Sequence, residues 1–340
     1  MKTRSKVAKP RQDKSRRKSS RDRVQALLKL VRANSNVLVL ISADPDSMAS
    51  ALAVKRLLWK HVRRTSIAYI GEIQRLDNLA MIELLKIPLV KIDQTDPGSF
   101  SHRIMVDSQP HHSEIFESFT YDAIIDHHPK TREWDAPYVD IRPKYGANST
   151  IMTEYLRGAR IKPSMKLATA LFYAIKTDTA NFARRGIAED VKQFRYLFQY
   201  ANLNLLKKIE RSEFEVNSLD YFQTALTNRV VTKKGIYSYL GRVPSADICV
   251  QVADFFTRVH GLGWIFISGI YEGKVIVIIR NDGYRKDAGK LAGLAFGDLG
   301  SAGGHQEAAR AEIPLNRLKL SGIKGHGASI QAFIRKRLRF

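Results

Sequence analysis

The chain has 340 residues, with 56 Lys and Arg against 33 Asp and Glu, nine His and one Cys, for a net charge of +23. That length suits two domains of roughly 100–200 residues each, and a hydrophobic content of 44% excludes disorder throughout. The lone Cys249 excludes a disulfide framework and a CxxC-type zinc site. No apolar run approaches the roughly 20 residues of a membrane span, and no apolar N-terminal segment resembles a signal peptide, so the expected location is cytoplasmic with no membrane partner.

The charge is concentrated at the ends. Residues 2–23 hold eleven Lys and Arg and two Asp, a Ser-rich stretch with almost nothing to bury, so 1–23 is expected to be a disordered basic tail. Next comes Asn36–Ser42 (NVLVLIS), an apolar run of strand length, then Ala43-Asp44-Pro45-Asp46-Ser47 and helical periodicity over 48–60, with Ser47 expected as the cap. Residues 66–70, 103–106 and 123–125 are further buried-strand candidates, with helical patterns between several of them. This alternation implies a mostly parallel sheet covered on both faces. Residues 149–157 and 165–176 read as helices, the second running into Thr177-Asp178-Thr179, and 205–224 is a charged, helix-compatible stretch suited to joining two domains. Residues 230–240, 264–270 and 274–280 read as strands, and 287–296 as a helix leading into a Gly-rich loop. Seven Lys and Arg and no acid follow Glu312, and Ile330, Phe333, Ile334 and Leu338 share one face of a basic amphipathic helix. Both basic ends suit contact with nucleic acid, and equally a solubilising tail and a solvated helix face.

Three expected strands end in acids: Asp44 and Asp46 after the first, Asp107 after 103–106, and Asp126-His127-His128 after 123–125. A fourth acid, Asp178, follows a helix. Ligands in open α/β sheets bind beyond the carboxyl ends of the strands, so these groups can converge. Clustered carboxylates repel one another and raise one another's pKa values, and their natural partner is a cation. Carboxylates with an imidazole suit manganese or magnesium. Taken singly, Asp44-Pro45-Asp46 also fits a loop and cap, Asp107 a solvated turn, and Thr177-Asp178-Thr179 a turn cap. The ordered set is the signal.

That set resembles the DHH phosphoesterase superfamily, the group of RecJ-like nucleases, family II pyrophosphatases and small-RNA nucleases. The matching pieces are Ala43-Asp44-Pro45-Asp46-Ser47-Met48-Ala49-Ser50-Ala51-Leu52, Val106-Asp107, Ile125-Asp126-His127-His128-Pro129 and Thr177-Asp178-Thr179-Ala180-Asn181-Phe182. In the last third, Arg280 and Gly303-Gly304-His305-Gln306-Glu307-Ala308-Ala309 resemble the DHH-associated substrate domain. The resemblance implies an α/β fold with an N-terminal mostly parallel sheet flanked by helices, a smaller C-terminal α/β domain and an active-site cleft between them. The expected limits are 24–205 for the catalytic domain, 206–224 for a linker helix and 225–340 for the substrate-binding domain with its basic C-terminal helix.

By the same resemblance, Asp44, Asp46, Asp107, His127 and Asp178 would ligate two manganese ions, with magnesium the alternative and Asp107 the bridge. His128 would act on the substrate phosphate, and Arg280, Gly303, Gly304 and His305 would hold its phosphate end. The implied activity is attack of a metal-bound hydroxide on short oligonucleotides or 3′,5′-bisphosphorylated adenosine, as in the oligoribonuclease and phosphoadenosine-phosphate phosphatase branch. The alternatives are a cyclic-dinucleotide phosphodiesterase and a degenerate nucleotide or nucleic-acid binder, and a homodimer is compatible with either. Two departures stand out. The family places a His four residues before its first Asp, where this chain has Leu40, which would weaken the first metal site. Ala309-Arg310 stands where the family has Ala-Gly. His111 and His112 are candidate replacement ligands, although solvated loop histidines suit them better.

Overall fold

The computed structural model describes residues 19–183, 186–212, 214–283, 286–320 and 327–340. Two compact units divide the chain, Met1–Ile73 with Asp77–Arg211 and Gln74–Leu76 with Ser212–Phe340. The first alternates helix and strand: α1 (Ser20–Leu28), β1 (Asn36–Ser42), α2 (Pro45–Leu58), β2 (Arg64–Ile70), α3 (Leu76–Leu85), β3 (Leu89–Lys91), β4 (His102–Val106), α4 (Glu114–Glu117), β5 (Ala123–Asp126), β6 (Tyr138–Ile141), α5 (Asn148–Gly158), α6 (Met165–Asp178), α7 (Ala188–Phe198) and α8 (Leu203–Glu210). The expected basic tail lies outside the described residues up to position 18. Ser19 caps α1 and is capped in return by Asp22, so the helix takes in the last residues of the expected tail.

The six strands lie in the order β3-β2-β1-β4-β5-β6, and every pairing is parallel. A period of two sorts β1 between the faces. Val37, Val39 and Ile41 pack with α2, α5 and α6, while Leu38 and Leu40 join Met105, Ile124, Phe100 and Phe116 on the other face. From β1 the chain winds outward through β2 to β3, then returns to β4 on the other side of β1. Such a reversal separates the loops that follow β1 and β4 and opens a crevice at their carboxyl ends. Asp44 and Asp107 stand in those two loops.

Helix α2 starts earlier than its periodicity suggests. Asp44, not Ser47, is the N-cap: its carboxylate accepts the Ser47 amide at 2.8 Å, and the Ser47 hydroxyl bonds back to the Asp44 amide. Pro45 takes the first helical position, where its missing N–H costs nothing.

The second unit contains α9 (Leu219–Thr227), β7 (Val230–Thr232), β8 (Gly235–Arg242), α10 (Ala246–Phe256), β9 (Trp264–Tyr271), β10 (Lys274–Asn281), α11 (Ala288–Phe296), β11 (Ser301–Gly304), β12 (Ala308–Pro314), α12 (Leu315–Leu320) and α13 (Gly327–Arg337). Its sheet runs β11-β12-β10-β9-β8-β7, antiparallel except for β8 with β9. One face packs on α11 and α13, with Ile330 and Ile334 buried as the helical spacing requires, and the other on α10. The expected strand over 230–240 is instead a hairpin of β7 and β8 that turns at Lys233-Lys234. Gly235 follows because a Cβ there would collide with the Trp264 carbonyl. The expected Gly-rich loop is also strand: Gly303 and Gly304 pair with Arg310 and Ala309. The charged stretch over 205–224 is divided between α8 and α9. Among the described residues, no helix is long and apolar enough to cross a membrane.

Candidate metal centre

Four elements of the first unit deliver side chains to one point. Asp46 lies in the first turn of α2, Asp107 follows β4, His127 follows β5, and Asp178 is the last residue of α6. The His127 Nε2 stands 3.3 Å from Asp107 Oδ1, 3.2 Å from Asp178 Oδ2 and 4.0 Å from Asp46 Oδ2. Its other nitrogen, Nδ1, lies 3.1 Å from the Tyr145 carbonyl. A carbonyl only accepts, so Nδ1 carries a proton and Nε2 is the nitrogen that faces the carboxylates. This is how a metal-ligating histidine is oriented.

Each acid is held by backbone chemistry. The Asp46 carboxylate accepts the Asn148 and Ser149 amides at 2.6 and 2.7 Å, so it sits on the N-terminus of α5, where the helix dipole favours an anion. Asp107 adopts a left-handed φ of 57°, a conformation costing a non-glycine residue about 1 kcal/mol or more. Its Oδ1 is buried with no hydrogen-bond partner. Burial, and then the charges of Asp46, Asp44 and Asp178, raise the Asp107 carboxyl well above the ordinary carboxylate range. Burial and Asp46 push Asp178 up to about 7. Burial opposes protonation of His127, but the charges of Asp46 and Asp178 outweigh it and raise its pKa. An orphaned buried carboxylate oxygen, three crowded acids and a tautomer-locked imidazole make a donor set that fits a hard or borderline divalent cation.

Asp44 stands beside this group rather than within it. Its Oδ1 is committed to the helix cap, an interaction worth about 1 kcal/mol. Burial and the neighbouring Asp46 raise its pKa. Leu40 is fully buried among Leu38, Met105 and Ile124 and offers nothing to an ion. His111 bonds to the Thr131 hydroxyl at 2.7 Å, and His112 Nδ1 lies 3.1 Å from the Ser108 hydroxyl. Neither histidine belongs to the clustered donor groups.

His128 lies beside His127, with ring centres 4.4 Å apart, and with Asp107 and Asp126 the two histidines form a second clustered donor group. The Asp126 Oδ1 lies 2.9 Å from His128 Nδ1 and accepts the His127 amide at 2.7 Å, which leaves His128 Nε2 on a side chain that is 47% exposed. Burial pushes Asp126 upward, but the bonds and charge of His128, with the Gln109 bond, hold it below the ordinary range.

Sequence reasoning misses the residues behind these. Gln109 is fully buried, and its Nε2 donates to Asp126 Oδ2 at 2.8 Å and to the His128 carbonyl at 3.0 Å, while its Oε1 accepts the Trp134 indole N–H. Asp190, also fully buried, accepts the Gly146 amide and the Thr150 hydroxyl and so fixes the turn that carries the Tyr145 carbonyl. Gly146 is required there because a Cβ would lie 2.6 Å from Thr179 and 2.9 Å from Asp190. The small polar run Gly146-Ala147-Asn148-Ser149-Thr150 is the available signal.

In the second unit, Arg280 donates through Nε to Asp254 at 2.8 Å. Gly303, Arg310 and Ile278 are lateral neighbours across three strands, which puts Gly303 and Arg310 on the sheet face that Arg280 shares. The His305 and Gln306 carbonyls accept the Gly289 and Ala288 amides, so the first turn of α11 holds the hairpin that carries His305.

Residues 36–175 match the DHH family, N-terminal domain. An uncharacterized protein of Methanocaldococcus jannaschii is 36% identical over 284 residues, covering 83% of this chain and 58% of that protein. The chain therefore spans less than two thirds of this curated relative. An exopolyphosphatase-related protein from Bacteroides fragilis aligns with a TM-score of 0.71 at 13% identity, over 93% of this chain and 95% of that one. RecJ in complex with Mn2+ from Thermus thermophilus aligns with a TM-score of 0.50 at 13% identity, over 94% of this chain and 55% of that one. Residues 36–175 are thus similar to the DHH family's N-terminal domain, and the fold of the chain is that of these structures.

Proposed function

We propose that the chain is a divalent-metal-dependent phosphoesterase acting on short oligonucleotides or bisphosphorylated nucleosides, with manganese the preferred ion. The observation that carries this reading is the convergence of Asp46, Asp107 and Asp178 on Nε2 of His127, with the Asp107 Oδ1 buried and without a hydrogen-bond partner. Asp46, Asp107, His127 and Asp178 would hold the ions, and Asp44 would supply the remaining carboxylate. When bound, such cations neutralise phosphoryl charge and acidify a coordinated water.

The chain's own residues account for orientation. Asp126 fixes the proton on His128 Nδ1 and orients the ring, so that Nε2 is the nitrogen free to meet a phosphoryl group. Tyr145 fixes the tautomer of His127, and the α5 amides hold Asp46 in place. Arg280, Gly303, Gly304 and His305 would receive the substrate's phosphate end. Arg280 must then exchange or share its bond to Asp254, and its guanidinium can offer a phosphate two parallel bonds.

Hydrolysis of a dinucleotide RNA and of 3′,5′-bisphosphorylated adenosine should appear in manganese, disappear with chelator, and be abolished by Asp107→Ala. Full activity in that variant overturns the reading. A second reading, nucleotide binding without turnover, draws on one observation, the packing of Leu40 into the apolar core. Turnover confined to Leu40→His would favour it, whereas turnover by the native chain excludes it.

A further inference from the structure

The amino-terminal edge of the parallel sheet carries the opposite charge from the carboxyl edge. Arg64 opens β2 and pairs with Asn36, the first residue of β1, so this edge lies a strand length, about 23 Å at roughly 3.3 Å per residue, from Asp44. A cavity of about 490 Å³ opens here, and Lys55, Trp59, Lys60, Arg63 and Arg64 are among its lining residues, which include no acid. Arg56 joins them, with its guanidinium 5.3 Å from the centre of the Trp59 ring. Trp59 is 64% exposed. Among the described residues, none of these five cations forms an ion pair.

The arrangement is built rather than incidental. Trp59 ends α2 with an extended backbone, and Lys60 turns the chain with a φ of 70°. The Arg63 and Arg64 amides both donate to the Ser35 carbonyl, at 3.0 and 3.4 Å, and Lys55 Nζ donates to the Thr65 carbonyl at 2.6 Å. Partial burial, and after it the charge of Arg64, hold the Lys55 ammonium below its ordinary range. Favourable placement at a helix C-terminus accounts for Lys55 and Arg56. It accounts neither for Arg63 and Arg64, which lie beyond the helix, nor for an indole left in water.

We propose that this groove binds single-stranded nucleic acid at a site separate from the metal cluster, its cations taking backbone phosphates and Trp59 stacking on an unpaired base. Cations tracking a backbone beside an exposed aromatic platform are the chemistry of strand binding without sequence readout. A duplex keeps its bases stacked and gains nothing from Trp59. The choice of polyanion rests on the phosphoesterase reading, but binding here needs neither metal nor turnover, so the two can fail separately.

The test uses the full chain in chelator, where hydrolysis is silent, and a labelled single-stranded RNA of about 12 nucleotides, within the roughly 4–16 nucleotides typical of such sites. Trp59→Ala should weaken binding by about 5- to 100-fold, with Trp59→Phe retaining part of it. Arg63→Gln with Arg64→Gln should lower the slope of log affinity against log salt by about 1.4, two phosphate contacts at roughly 0.7 each. Hydrolysis of a dinucleotide in manganese should be unchanged in every variant. Because the comparison is made within one chain, binding by the basic residues before position 19 is a constant background. Unchanged RNA affinity in both variants overturns the proposal, as does equal loss for single-stranded and duplex RNA, or equal competition by an acidic peptide of matched charge. If the native chain hydrolyses nothing but its RNA binding still falls with Trp59→Ala, the groove stands and the phosphoesterase reading fails.

Discussion

The two edges of the first sheet hold opposite charges under opposite conditions. At the carboxyl edge, Asp46 and Asp107 are only 3% and 7% exposed, and Asp107 sits on a left-handed backbone with an unpaired oxygen. At the amino edge, the cations stand mostly in water. Buried like charges cost several kcal/mol each unless something neutralises them, whereas solvated ones cost almost nothing. The carboxyl edge therefore calls for a proton or a cation to neutralise it, and the amino edge needs neither to persist. Both are charge clusters in the sequence, and burial is what separates them.

The sharpest way to break this contrast is to disturb the support of the buried edge without touching a ligand. Gln109→Leu removes the bonds to Asp126 and to the His128 carbonyl while keeping the volume. Turnover should fall about 10- to 100-fold, the usual cost of losing such an outer partner. Because the Gln109 bond helps hold Asp126 low, its loss should also move the acidic limb of the pH profile upward. An unchanged profile with reduced protein stability would reduce Gln109 to packing.

A smaller effect should appear in the metal-free protein as a function of pH. Asp178 titrates at about 7 when folded, against an ordinary value of 3.8, and Asp107 is shifted in the same direction. A carboxyl raised on folding contributes stability that is complete below about pH 4 and is lost as pH rises through about 7. Thermal melts in chelator should therefore decline across that window, and manganese should reverse the decline most strongly at the upper end, where the ligands are already deprotonated. Asp107→Asn should flatten the metal-free decline and raise the melting temperature in chelator. A pH-independent melting temperature would mean that the acids do not feel one another. The smallest effect belongs to the solvated edge: Trp59→Ala should change stability by no more than about 0.5 kcal/mol, measured by denaturant unfolding.

What the sequence can show depends on whether a feature resides in side chains. The apolar run over β1 and the order of Asp44, Asp46, Asp107, His127 and Asp178 are side-chain patterns, and the four last-named residues lie together in the fold. The grip of the Asn148 and Ser149 amides on Asp46 is backbone chemistry, and no residue type announces it. Ser47 reads as a cap because Ser is a good one, but Asp44 is also a good one and stands at the position the helix geometry needs. The hairpin at Lys233-Lys234 is hidden by β-branched residues on both sides of a two-lysine turn. Gly303 and Gly304 read as a loop because strand pairing with Arg310 and Ala309 leaves no periodic trace in so short a segment.

Gly146 has one more implication. The missing methyl group at that position lets the loop before α5 touch Thr179, just past Asp178, and Asp190 on α7 at the same time. Three stretches far apart in the chain are thereby set to a common gauge, and two of them abut ligands of the centre. A Cβ at this position would press on the Thr179 methyl and the Asp190 carboxylate, so one or both must shift, and Asp190 is the group that holds the Gly146 amide. The spacing between the loop before α5, the end of α6 and the start of α7 is thus set by a residue that is not itself among the clustered donors.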